Sequence, residues 1–93
     1  ISGIPASWPG TNLSIGSTGS KVRQMQEQLA VISRSYPAIP TIAADGIYGE
    51  RTREAVEAFQ RVFDLPVTGV VDFATWYKIS QIYVGVSRIA ELV

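Results

Sequence analysis

Glu54 and Glu57 stand three residues apart, the arrangement in this chain that most resembles a pair of catalytic carboxylates. A glycosidase needs two such groups, one kept protonated by a dry pocket and one ionised. Nothing here supplies that contrast. Arg53 and Arg61 flank the pair, and on a helix these side chains form a solvated face laced with ion pairs one turn apart. Asp45 is a third candidate, but in an Asp-Gly corner a carboxylate bonds backbone amides and fixes the turn. Other routes to chemistry are closed by composition. The 93 residues contain no His and no Cys. That removes the Ser-His-Asp triad, thiolate nucleophiles and the usual zinc ligands. Gly16 and Gly19 are not followed by Lys-Ser or Lys-Thr at phosphate-loop spacing. The expectation is a chain that is not an enzyme, with no catalytic residue, no metal and no cofactor.

Charge narrows the partners. Eight Lys and Arg balance eight Asp and Glu. A neutral chain lacks the field that captures nucleic acid or an anionic membrane, so neither is expected. No apolar stretch approaches the roughly 20 residues that span a bilayer. With 46% hydrophobic residues the chain has enough apolar surface for one small folded domain. It begins at Ile1 with no basic-then-apolar leader, and reads as an excised module or a processed piece.

The elements that must position any site follow from spacing. Gly3, Pro5, Pro9 and Gly10 keep residues 1–14 extended, as a lead-in or linker, while Trp8 and Leu13 can pin it to a core. Gly16 to Ser20 form a turn ahead of a helix from about Ser20 to Arg34. Its stripe is Val22, Met25, Leu29 and Ile32, at gaps of a helical face. Pro37 and Pro40 stop it. A second helix, from about Glu50 to Phe63, carries Thr52, Ala55, Val56, Phe59 and Phe63. Asp72 caps a third, with Trp76, Ile79, Tyr83 and Val86 inward. Val84, Ile89 and Leu92 either extend that helix or form a docked tail. The loops echo each other: Asp45-Gly46-Ile47-Tyr48-Gly49 with Thr52, then Thr68-Gly69-Val70-Val71-Asp72 with Thr75. Met25-Gln26 and Phe59-Gln60 match likewise, and both glutamines are expected to hold loop backbone in place. The fold expected is all-α, a compact three-helix orthogonal bundle with irregular loops. Residues 15–88 make the domain and 89–93 a tail.

Three blocks carry a family likeness. Gly16-Ser17, Gly19, Val22, Met25-Gln26 and Leu29 form the first. Asp45 to Gly49, Thr52, Ala55-Val56 and Phe59-Gln60 form the second. Leu65, Thr68-Gly69, Val71-Asp72 and Thr75-Trp76 form the third. In this order they resemble the peptidoglycan-binding-like domains and cover most of the chain. The resemblance implies a non-catalytic three-helix module of bacterial cell-wall hydrolases, which anchors the attached hydrolase on peptidoglycan through glycan or stem peptide. It implies a monomer outside the cell at the wall, either vegetative wall or spore cortex. The alternative is a protein-interaction or pro-segment-like domain of an extracellular enzyme. Two stretches depart from the family pattern: the loop from Arg34 to Ala44, and the lead-in with Trp8. Each either shapes a groove or covers the core.

That resemblance gives the binding candidates Tyr48, Arg51, Asp45, Ile47 and Trp76. The Tyr48 ring either stacks on a sugar or plugs the loop against Trp76. Arg51 either grips a stem carboxylate with its fork or pairs with Glu50 or Glu54. Asp45 either binds sugar hydroxyls or fixes its turn. Trp76 is a core residue with one edge available to a groove. The groove floor is expected from the loop before the second helix and the start of the third.

Overall fold

The computed structural model describes the backbone of residues 8–92 and the side chains of residues 8–87. Three helices follow in order: α1 (Ser20–Ser35), α2 (Glu50–Val62) and α3 (Phe73–Leu92). Among the described residues the only β pairings are two isolated antiparallel bridges, Leu13 with Val71 and Thr18 with Ile47.

Each helix is set by its stripe and its ends. Val22, Met25, Leu29 and Ile32 of α1 are completely buried. The helix runs one residue past the expected end because the Tyr36 amide still donates to the Ile32 carbonyl, at 3.1 Å. Pro37 then has no amide to continue the ladder. In α2, Thr52, Ala55, Val56 and Phe59 are buried. Phe63 falls just outside the helix, half-buried, with its ring edge-on to Tyr36 at 5.0 Å. The start of α3 is fixed by Asp72, whose Oδ1 accepts the Thr75 amide at 2.9 Å. Trp76 and Ile79 are buried, but Tyr83 and Val86 are only half-buried. Helical backbone continues to Leu92 through positions assigned above to a tail. The side chains of Ile89 and Leu92 lie outside the described residues, as do Gly3 and Pro5 of the lead-in.

The core sits mainly between α1 and α3, with α2 closing it. From Trp8 onward the lead-in packs on this body. Trp8 meets Trp76 and Phe73 edge-on at 6.1 and 5.4 Å. Leu13 is buried and exchanges two backbone hydrogen bonds with Val71, at 3.0 and 2.8 Å. The aromatic lead-in therefore covers core. Among the described residues no helix is long and apolar enough to cross a membrane.

Candidate functional site

The corner ahead of α2 is built from α1. The Gln26 Oε1 accepts the Gly46 amide at 2.8 Å. Its Nε2 lies within donating distance of the Ile47 carbonyl and Thr52 Oγ1, both 2.9 Å, and of Asp45 Oδ1 at 3.2 Å. A completely buried amide side chain must find such partners, and here it finds them on the loop before α2 and in that helix's first turn. Gly46 has φ +77, and a Cβ there would stand 3.3 Å from the Gly19 carbonyl oxygen. Backbone cannot swing aside as a side-chain tip can, so this turn requires glycine.

The second corner repeats the device with α2 as its source. Gln60 Oε1 accepts the Thr68 and Gly69 amides at 2.9 and 3.0 Å. Its Nε2 faces the Val70 carbonyl at 3.0 Å, Thr75 Oγ1 at 3.1 Å and Thr68 Oγ1 at 3.2 Å. The expected role of both glutamines, and the loop echo in the sequence, thus take physical form as two glutamine-clamped corners. Tyr48 joins them, its hydroxyl donating to the Gly69 carbonyl at 2.6 Å.

Strand-like backbone decides which side chain of the first corner faces out. The Tyr48 amide donates to the Ser17 carbonyl, and the Gly16 amide to the Tyr48 carbonyl, each at 3.0 Å. Successive residues on extended backbone point to opposite sides. Ile47 is accordingly 58% exposed, and Tyr48 1%. Burial, with the Glu57 charge second, holds the Tyr48 hydroxyl well above the usual tyrosine range. Tyr48 is therefore a loop plug and offers no ring to a ligand. Trp76 is likewise 1% exposed and offers no edge to a ligand, and α3 lines neither of the two clefts described below.

The other three expected residues do come together. Asp45, Ile47 and Arg51 line an open cleft of about 270 Å³, together with Ile42, Ala43, Gly49 and Glu50. A second cleft, about 240 Å³, lies between Pro40, Thr41 and Ile42 on one side and Arg51 and Glu54 on the other. The two share Ile42 and Arg51. The sequence reading missed Ile42. Its signal was the proline-bracketed loop, which does both things open to it: Ile39 is buried as core, and Ile42 lines the groove.

Charges around the clefts are unevenly used. Arg53 takes Glu50 at 2.6 Å and Glu57 at 2.7 Å. Glu50 is thus engaged elsewhere, and Arg51 makes no ion pair or hydrogen bond with it or with Glu54 among the described residues. No side chain caps the N-terminus of α2, but Glu50 in its first turn also lines the cleft and offsets the positive helix end, so the cation at the cleft is Arg51. Asp45 is consumed by its turn: Oδ1 accepts the Ile47 amide at 3.0 Å. That bond, and a weaker one from Gln26, hold its carboxyl below the usual aspartate range.

A carboxylate lowered in this way contributes stability that is complete above its unfolded value, near pH 4. The contribution is lost as pH falls through the folded value. Asp45→Ala should therefore show a shallower acid limb than wild type when unfolding is followed by circular dichroism from about pH 5 downward. Parallel limbs would mean that the turn does not depend on the ionised carboxylate.

Three helices with two clamped corners, and an open cleft bounded by Ile42, Ile47 and Arg51, define a small recognition module. Comparison with known proteins gives the family. The sequence profile of the putative peptidoglycan binding domain matches residues 18–79, and the chain belongs to this family. It is a peptidoglycan-binding module. It is 41% identical over 76 residues to the zinc D-Ala-D-Ala carboxypeptidase of Streptomyces albus G, covering 81% of this chain and 28% of that protein. The chain thus spans under a third of that relative's length. Among solved structures it resembles the SleB N-terminal domain, at 27% identity and a TM-score of 0.67, over 78% of this chain and 93% of that one.

Proposed function

We propose that this chain is a non-catalytic anchor, occupying residues 15–88 with its lead-in docked, that holds an attached cell-wall hydrolase on peptidoglycan outside the cell. The observation that carries the site is Arg51. It is an exposed cation with no ion-pair or hydrogen-bond partner among the described residues, on the shared wall of two clefts, beside a helix start that no side chain caps. A guanidinium fork matches a carboxylate in two-point geometry. Stem peptides of peptidoglycan carry carboxylates, and Ile42 and Ile47 offer apolar walls for their methyl groups. Asp45 contributes by holding the corner rather than by touching ligand.

The family and a relative that is a carboxypeptidase support a wall-directed role. The chemistry of this chain supports a binding role within it. Glu50 and Glu57 are both held by Arg53, and Glu54 lines an open cleft rather than the enclosed dry pocket that a catalytic acid needs. Binding in so shallow a groove is weak. An attached enzyme gains from it nonetheless, because tethering to an insoluble polymer raises its local concentration. The module acts as a monomer.

The test is co-sedimentation of the 93-residue chain with purified cell-wall sacculi. Arg51→Ala and Ile47→Ala should each cut the bound fraction severalfold, because both side chains are exposed and neither supports the fold. Lys21→Ala, on α1 outside both clefts, should bind as wild type. Equal sedimentation of all four proteins would remove the cleft from the binding surface.

A further inference from the structure

The second cleft holds an unpaired pair of opposite charges. Arg51 and Glu54 lie one turn apart on α2, about 5–6 Å between Cβ atoms, and both line the space of about 240 Å³ under Pro40, Thr41 and Ile42. They do not pair with each other, and Glu54, like Arg51, has no ion-pair or hydrogen-bond partner among the described residues. Their neighbours differ: Arg53 engages both Glu50 and Glu57. Of the α2 charges without a partner among the described residues, Arg51 and Glu54 line this cleft and Arg61 does not.

We propose that the joined clefts take a peptide segment bearing a carboxylate and, a few ångströms along, a free ammonium. Arg51 takes the carboxylate and Glu54 the ammonium. The aliphatic stem of the ammonium-bearing side chain lies on Ile42, the apolar residue common to both clefts. Within peptidoglycan this pattern belongs to a stem peptide whose diamino acid has not been cross-linked, since cross-linking turns the ammonium into a neutral amide. The glycan strand carries N-acetylated sugars and no ammonium, so Glu54 would find no cation on it. The inference rests on the stem-peptide reading of the groove above and adds a preference within it.

The experiment is an NMR titration of the 93-residue chain with two synthetic stem peptides ending in D-alanine. One carries a lysine with its side-chain ammonium free, and the other is acetylated on that amine. Wild type should bind the free form about threefold more tightly, the size of one exposed ion pair. Glu54→Gln should bind both forms alike, with the acetylated form as in wild type, whereas Arg51→Ala should weaken both. Equal wild-type affinity for the two peptides, with Arg51→Ala still weakening both, would overturn the ammonium site and leave the anchor intact. Binding to neither peptide with sedimentation on sacculi preserved would also overturn it and assign the groove to glycan. Loss of sedimentation as well would end both readings.

Discussion

Gln60→Leu is expected to destabilise this domain by about 3–4 kcal/mol, a large effect for a single side chain. Leucine approximates the volume but makes none of the bonds. The Thr68 and Gly69 amides lose their acceptor, and the Val70 carbonyl and Thr75 hydroxyl lose their donor. Gly69 and Thr75 are buried, so water cannot substitute. Each stranded buried group costs about 1–3 kcal/mol, and small domains hold only about 5–15 kcal/mol in total. At about 4–8 °C per kcal/mol for a domain of this size, the midpoint of thermal unfolding should fall by at least about 12 °C. Exchange protection of the Gly69 amide should collapse with it. A midpoint within about 3 °C of wild type, less than one kcal/mol on that scale, would mean that the second corner holds itself. Gln60→Glu should not rescue, because it keeps the acceptor but replaces the amide donor with a buried charge.

Tyr48→Ala is the second large effect, because the ring is a loop plug and not a platform for a sugar. The ring is fully buried, and deleting a buried aromatic costs about 3–5 kcal/mol through lost burial and the cavity left behind. Tyr48→Phe keeps the ring but strands the Gly69 carbonyl, for a smaller loss of about 1–2 kcal/mol. The two variants therefore separate packing from hydrogen bonding by thermal unfolding. They also separate by pH. The Tyr48 hydroxyl is raised above its unfolded value by burial. Its contribution is complete below about pH 10 and is lost as pH rises from there towards the folded value. Tyr48→Phe should lack that part of the alkaline loss. If Tyr48→Ala unfolded at the wild-type temperature, the ring could not be the plug between the corners. Reduced wall binding by Tyr48→Ala would report unfolding, which is why Arg51→Ala and Ile47→Ala are the informative variants.

Periodicity and boundary residues were enough to determine the three helices, though not where α3 ends. Val22, Met25, Leu29 and Ile32 can share one face only on a helix, and Pro37, Gly49 and Asp72 mark boundaries through local backbone chemistry. The paired loops and their glutamines were also legible, because a half-apolar environment leaves a glutamine little to do except clamp backbone. Exposure at the first corner was not legible. Tyr48 and Ile47 are adjacent, and which of them faces solvent depends on pairing with Ser17 and Gly16, residues distant in sequence. The partner of Arg53 was equally hidden. Three carboxylates lie within reach along α2, and only side-chain placement in the folded chain assigns Glu50 and Glu57 to it and leaves Arg51 and Glu54 to the cleft. Short-range spacing records which residues share a helix face. Burial and charge pairing are sums over neighbours brought in from elsewhere in the chain, so only the tertiary structure decides them.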